Sequence, residues 1–195
     1  MADIKRLVVG ISGASCANLA VLLLETMRNM PGWETHLVMT GGAKRTIEHE
    51  TELTFDQVRS LAHSSYPVED VGASIASGTY VTAGMVVVPC SMKTLAGISH
   101  GYSDNLLLRA ADVTLKEHRK LVLAVRETPL NLIHLNNMVR LAGLGVVIMP
   151  PVLTFYNHPK NIEDLQQHIV GKILHEFGIE APCFKRWSGE MRSGR

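Results

Sequence analysis

Apolar residues along this chain come in short unbroken runs, each followed by a longer stretch with helical character. Leu7-Val8-Val9-Gly10-Ile11 is the first run, and Ser12-Gly13-Ala14-Ser15 turns it into a helix from about Cys16 to Met30. Thr35-His36-Leu37-Val38-Met39 is the second, with a helix behind it through Glu50. Gly84-Met85-Val86-Val87-Val88-Pro89 is the third, and Ser91-Met92-Lys93-Thr94-Leu95 opens the next helix. Leu121-Val122-Leu123-Ala124-Val125 and Gly145-Val146-Val147-Ile148-Met149 complete the strands, and Asn161 to Phe177 reads as a last helix. Strands that are apolar on both faces belong in a parallel sheet with helices over each side. The pattern predicts an α/β fold, a doubly wound parallel sheet of about five or six strands inside three αβα layers.

No internal repeat or low-complexity linker interrupts the 195 residues. The chain therefore reads as one domain over 1–195, with a core over about 5–177 and a tail over about 178–195. The basic end of that tail, from Lys185, is expected to be loose or packed on a neighbour. Composition adds mainly exclusions. With 46% hydrophobic and 19% charged residues the chain can build a sizeable core and is not a disordered one. Nineteen Lys+Arg against eighteen Asp+Glu leave +1, so no global basic excess points to nucleic acid or to an anionic membrane. The apolar runs are too short to span a bilayer, and Met1 to Arg6 lead straight into a strand without the pattern of a signal peptide. Cys16, Cys90 and Cys183 are far apart and form no CxxC pair, and the histidines form no HExxH. Neither a disulfide framework nor a metal centre is expected, and a reducing cytoplasm suits the chain.

Ligands of a doubly wound sheet collect at the carboxyl ends of its strands. Three strands end there in unusual chemistry. Gly10-Ile11-Ser12-Gly13-Ala14-Ser15 offers bare backbone, hydroxyls and free amides at a helix start, as an anion site needs. It is neither GxGxxG nor a Walker A loop, so a phosphate-bearing mononucleotide fits better than a dinucleotide or a triphosphate. The same loop also reads as an ordinary tight turn with Ser as the N-cap. Cys90-Ser91-Met92-Lys93-Thr94 repeats the logic, with simple capping again the plain alternative. Arg126-Glu127 stands directly after a buried strand, where charges are rarely placed without partners or a ligand. On the helix from about Asp104 to His118, Arg109 and Lys116 lie seven apart and share one face, fit for a second phosphate. Its plain alternative is a solvated face with an Asp112–Lys116 pair. Glu50 and Tyr156 are compatible with either a site or an ordinary surface.

Taken together, GISGAS, the IASG stretch, VVVPCSMKTLAGISHGYSDNLLLRAADVTLKE, LVLAVRETPLNLIHLNNM and PPVLTFYNHP resemble the flavin prenyltransferase family, the flavoproteins that accompany non-oxidative aromatic acid decarboxylases. The resemblance runs from about Leu7 to Trp187. It implies a Rossmann-like, flavodoxin-type fold that assembles as a homo-oligomer, a dodecamer, with active sites between subunits. It further implies FMN as cofactor and prenyl acceptor, and no metal. Dimethylallyl monophosphate would be the donor, alkylating the flavin at N5 and C6. The prenylated FMN would pass to a UbiD-type decarboxylase. In the family's register Gly13, Ala14, Ser15, Thr40, Ser91, Thr94 and Arg126 match the FMN-binding positions. Arg109, Lys116, Tyr156, Lys172 and Trp187 match those that hold the dimethylallyl phosphate. Ser15, Glu50 and Glu127 match the catalytic positions, Glu127 assisting phosphate departure and the other two moving protons. The chain departs from the pattern at Cys16, where glycine is usual, at Lys172, where arginine is frequent, and at Gly41-Gly42, where bulkier residues are common. Two rival readings are a flavin-binding accessory protein without chemistry, and a cysteine decarboxylase. The latter's PxMNxxMW-type clamp is not matched by Asn136-Asn137-Met138.

Overall fold

The first apolar run and its neighbours pair side by side in the computed structural model, which describes residues 4–182 and 184–189. Strands β1 (Lys5–Ile11), β2 (Trp33–Met39), β3 (Ser64–Tyr66), β4 (Gly84–Cys90), β5 (Lys120–Val125) and β6 (Val147–Ile148) form a single parallel sheet in the order β3-β2-β1-β4-β5-β6. This is the Rossmann order, and the winding reverses between β1 and β4, which opens a crevice above their carboxyl ends.

Seven α-helices among the described residues cover the sheet: α1 (Ala17–Arg28), α2 (Gly41–Glu50), α3 (Phe55–Arg59), α4 (Met92–Ser99), α5 (Leu106–Lys116), α6 (Leu132–Gly143) and α7 (Ile162–His175). Side chains alternate across each strand, so the sheet feeds two separate cores. Leu7, Val9, Ile11, Val86 and Val88 pack with α1, α2, α3 and α7, whereas Val8, Met85, Val87, Leu121 and Leu123 pack with α4, α5 and α6. That double burial is why the central strands are apolar at nearly every position.

The five expected strands are present, with two differences at the edges. Gly145, in the left-handed region at φ 84°, and Pro150-Pro151 bracket the last run, and only Val147–Ile148 pairs with β5. Proline has no N–H to give a ladder. The sixth strand, Ser64-Ser65-Tyr66, carries no apolar pattern and becomes a strand because β2 offers it a free edge. Helix α5 begins at Leu106 and not at Asp104, because the Asn105 side chain accepts the Leu108 N–H at 3.0 Å and caps it.

Cys16 precedes α1 at φ 83° and ψ 35°, a left-handed conformation that costs a residue with a Cβ about 1–2 kcal/mol. Its side chain packs against the core that α1 helps to form and is not among the residues that line the cavity described below. Cys16→Gly is accordingly expected to stabilise the fold by about 1 kcal/mol and to raise the melting temperature by about 2–4 °C, read by calorimetry. Cys16 and Cys90 are free thiols, and burial pushes the Cys90 thiol far up. Cys183 and residues 190–195, the last of the basic tail, lie outside the described residues.

Candidate active site

At the switch point the β1 and β4 loops are stitched together by one buried hydroxyl. Ser12 donates to the Pro89 carbonyl at 2.8 Å and accepts the Ser91 N–H, also at 2.8 Å. Beside it Gly13 presses on the start of α2, where a Cβ on Gly13 would stand 2.9 Å from the Gly42 Cα. Bare backbone on both sides lets the β1 and β2 loops close to this distance. Thr40 accepts the Ala43 N–H at 3.2 Å, and Ser91 accepts the Thr94 N–H at 3.3 Å while donating to the Thr94 hydroxyl. The capping reading of these hydroxyls is therefore true, and each cap also faces a common cavity.

That cavity holds about 810 Å³. Gly13, Thr40, Gly41, Gly42, Ser91 and Thr94 form its walls at the strand ends. Arg45 and Lys93 add cations, and Asp104 and Asn105 close it from the α5 side. Gly41, beside which a Cβ would meet nothing within 4 Å, also lines a second, smaller cavity that shares Thr40, Val68 and Glu69 with the first. The wall after Thr40 is thus low, in keeping with the small residues there.

Ser15 is not the N-cap of α1. That place belongs to Cys16, which makes no capping hydrogen bond through its side chain. Glu50, at the far end of α2, supplies the cap instead, its Oε2 accepting the Cys16 and Ala17 N–H groups at 2.8 and 3.0 Å. Burial by itself would push the Glu50 carboxyl up. Hydrogen bonds from the Ser15 hydroxyl and from those two N–H groups, together with the Arg126 charge, outweigh it and hold the carboxyl below its usual range. Ser15, Glu50 and Arg126 are one electrostatic cluster, joined to the glycine loop through Ser15 and not among the residues that line the cavity. Ala14 is buried behind the loop. Arg126 is pinned through its N–H to the Cys90 carbonyl at 3.0 Å, and Glu127 follows it, exposed, accepting the Thr128 N–H at 2.9 Å.

The remaining predicted residues fall into two further groups. Arg109 donates from Nε to the Ala76 carbonyl at 3.3 Å and pairs with Asp112 at 2.7 Å, while Lys116 pairs with Glu117. The Asp112–Lys116 pair of the plain alternative does not form, since Arg109, one turn earlier, takes the Asp112 carboxylate. Tyr156 bonds His168 Nε2 at 3.1 Å and meets Trp187 edge-on at 5.7 Å. Burial, then the Lys172 charge, lowers the His168 pKa. Lys172 itself pairs with Glu176 at 3.6 Å. Among the described residues no hydrogen bond, ion pair or ring contact joins Tyr156, Lys172 or Trp187 to the cavity within one protomer. Ser12, Arg45, Lys93, Asp104 and Asn105 were not singled out from the sequence. Of these only Ser12, a hydroxyl immediately before the glycine loop, and Lys93, inside the second loop, carried a readable signal.

Among the described residues no three His, Cys, Asp or Glu side chains gather as a metal site requires, and no helix is long and apolar enough to cross a membrane. The flavoprotein family model matches residues 1–174. Flavin prenyltransferase LpdB of Lactiplantibacillus plantarum is 52% identical over 186 residues, covering 95% of this chain and all of the relative. A crystal structure described as a dodecameric FMN-dependent UbiX-like decarboxylase from Escherichia coli O157:H7 superposes with a TM-score of 0.93 at 52% identity, over 95% of this chain and 100% of that one. The structure of AnUbiX in complex with FMN and dimethylallyl pyrophosphate also gives 0.93, at 45% identity, over 96% of this chain and 99% of that one. The chain belongs to the flavoprotein family and, within it, to the flavin prenyltransferases.

Proposed function

We propose that this protein joins the dimethylallyl group of dimethylallyl monophosphate to reduced FMN at N5 and C6, producing prenylated FMN for a UbiD-type aromatic acid decarboxylase. The observation that carries the reading is the cavity at the switch point, walled by bare glycines and capping hydroxyls, with the Glu50, Ser15 and Arg126 cluster reached through the same glycine loop. Its 810 Å³ suits a mononucleotide cofactor. Gly13, Ala14, Ser15, Thr40, Ser91, Thr94 and Arg126 would hold FMN, backbone N–H groups and hydroxyls taking its phosphate and polar edges. Bound there, reduced FMN supplies the nucleophile and an electron-rich ring beside the departing phosphate.

The chain's own groups account for the other half of the chemistry. Breaking an allylic C–O bond sends the electron pair onto phosphate, and cations must meet that charge. Arg109, Lys116 and Lys172 provide them, with Tyr156 and Trp187 closing over the donor. Glu127, exposed at the end of β5, gives a proton to the leaving phosphate. Glu50, held ionised, accepts a proton through the Ser15 hydroxyl and so restores neutrality at the acceptor.

A homo-oligomer, by likeness a dodecamer, completes the site. Leu132, Leu135 and Val139 recur at i, i+3 and i+7 on α6 and stand 71%, 44% and 71% exposed, and Val152, Leu153 and Phe155 are exposed just before Tyr156. A surface this apolar calls for a partner. An assembly that covers it would carry Tyr156, Lys172 and Trp187 of one protomer toward the cavity of another. The accessory-protein reading draws on Cys16 and Lys172; Cys16 packs against the core and is not among the residues that line the cavity, and Lys172 keeps its positive charge. Two free thiols support a reducing cytoplasm as the setting.

Anaerobic mixing of the protein with reduced FMN and dimethylallyl monophosphate, or separately the pyrophosphate, tests the proposal by mass spectrometry of the flavin. A prenyl adduct with the monophosphate is expected, and no adduct at high protein concentration refutes it. Gly13→Ala provides a structural check. Its methyl would push the glycine loop off the Gly42 backbone, and FMN affinity is expected to fall about tenfold or more by fluorescence titration while the fold persists.

A further inference from the structure

We infer that His36 is a positioning residue for the donor phosphate, acting through the segment 74–80 that seats Arg109 and Lys116. The inference rests on the reading of those two cations as phosphate ligands.

His36 stands in the middle of β2 and is only 3% exposed, a polar ring in a core strand. Polar groups in such places are costly unless fully bonded. Its bonds run to both ends of one segment. Nδ1 meets the Tyr66 hydroxyl at 2.8 Å, which in turn meets the Ser74 hydroxyl at 3.0 Å. Nε2 meets the Tyr80 hydroxyl at 3.4 Å. The imidazole also stacks on Tyr66 at 5.9 Å and takes the edge of Tyr80 at 5.6 Å, while the Arg6 guanidinium lies 5.1 Å from the other ring of that pair. One side chain thereby fixes Ser74, where the segment begins its 3-10 turn, and Tyr80, where it ends.

Between those two anchors the segment lies against α5. The Ala76 carbonyl accepts Arg109 Nε at 3.3 Å and so orients the guanidinium from the side away from Asp112. The Gly78 and Tyr80 carbonyls accept the Arg119 guanidinium at 2.6 and 2.9 Å. A Cβ on Gly78 would stand 2.6 Å from Lys116 Nζ and closer still to Glu117 Oε1, so the Lys116–Glu117 pair lies over the bare glycine. Arg109 is thus held by this segment through a hydrogen bond, and Lys116, paired with Glu117, rests over its glycine. Phosphate recognition by arginine depends on angle as well as charge. Loosening the segment would leave both cations present but misdirected. Burial keeps the His36 pKa low, against the pull of Glu34 and with the Arg6 and His63 charges acting in the same direction as burial. A neutral ring accepts at one nitrogen and donates at the other, and the two hydroxyl partners can meet either tautomer.

His36→Phe keeps the ring and removes both hydrogen bonds, and Ser74→Ala removes only the last link. Calorimetry on FMN-loaded protein measures the Kd of dimethylallyl monophosphate, fluorescence the Kd of FMN, and steady-state assays kcat and KM. For either variant the donor's Kd and KM are expected to rise about tenfold, with FMN affinity within twofold and kcat at saturating donor little changed. Arg109→Ala serves as the reference. If it weakens donor binding while neither His36→Phe nor Ser74→Ala does, the inference falls and the phosphate reading stands. If Arg109→Ala has no effect either, both fall. Equal losses of FMN and donor affinity in Ser74→Ala would reduce His36 to a general packing role and also overturn the inference. Should His36→Phe fail to fold, Ser74→Ala decides the question alone.

Discussion

Glu127→Gln is expected to slow prenyl transfer about a hundredfold or more while leaving FMN affinity unchanged. General acids and bases contribute about 10²–10⁴-fold to a reaction, and an amide of the same shape cannot give up a proton. Flavin binding is spared because the Glu127 side chain, unlike Arg126, has no part in the electrostatic cluster with Glu50 and Ser15. Its carboxylate is exposed and, among the described residues, accepts only the neighbouring Thr128 N–H, a bond the glutamine carbonyl oxygen can keep. Single-turnover kinetics by rapid mixing, set beside a fluorescence titration, separate the two quantities. A variant losing both equally would contradict the role of acid, since such a loss belongs to ground-state binding.

Arg126→Ala should do the reverse and yield protein that purifies without flavin. Hydrogen bonds to a charged group contribute about 1.5–3 kcal/mol, so FMN affinity is expected to fall about 10- to 100-fold. The absorbance of the purified protein near the flavin bands and its titration with FMN check this. The same change has a second consequence at Glu50. Arg126 is one of the groups that hold that carboxyl below its usual range, so removing the charge lets it drift upward. Because the ionised carboxylate caps α1 through Cys16 and Ala17, its stabilisation is present above the ordinary glutamate range and is lost as pH falls through the folded-state value. In Arg126→Ala that acid-side loss is expected to begin at higher pH than in the parent protein, measured as the unfolding midpoint against pH.

These two variants act on neighbours in the chain, and their different expected effects show how little sequence adjacency says about role. Arg126 ties its backbone to the β4 strand end and its charge to Glu50, whereas among the described residues Glu127 has no hydrogen bond or ion pair beyond the next residue. From the sequence both were simply charges at the end of a core strand. The resemblance to a family assigned them separate tasks, and the structure supplies a physical basis on which those tasks can differ.

Much of the architecture was legible because burial on two faces leaves a signature at every position. Runs such as Leu7 to Ile11 and Met85 to Val88 have no polar face, and only a sheet covered on both sides accommodates them. Thr40 and Ser91 were equally readable, as hydroxyls standing where helices begin. Ser64-Ser65-Tyr66 was not, because a three-residue edge strand draws its order from its partner and not from its own side chains. What tertiary structure alone decided is which distant groups meet. Glu50 caps a helix whose N-terminus lies 34 residues earlier, Ser12 joins a loop 77 and 79 residues away, and Gly13 finds Gly42. Arg109 takes Asp112 from Lys116, and His36 draws Tyr66 and Tyr80 around one ring. Periodicity and capping act over a few residues, so they can be read along the chain. A hydrogen bond or a glycine contact acts over about three ångströms of space, and only the folded chain says who stands at that distance.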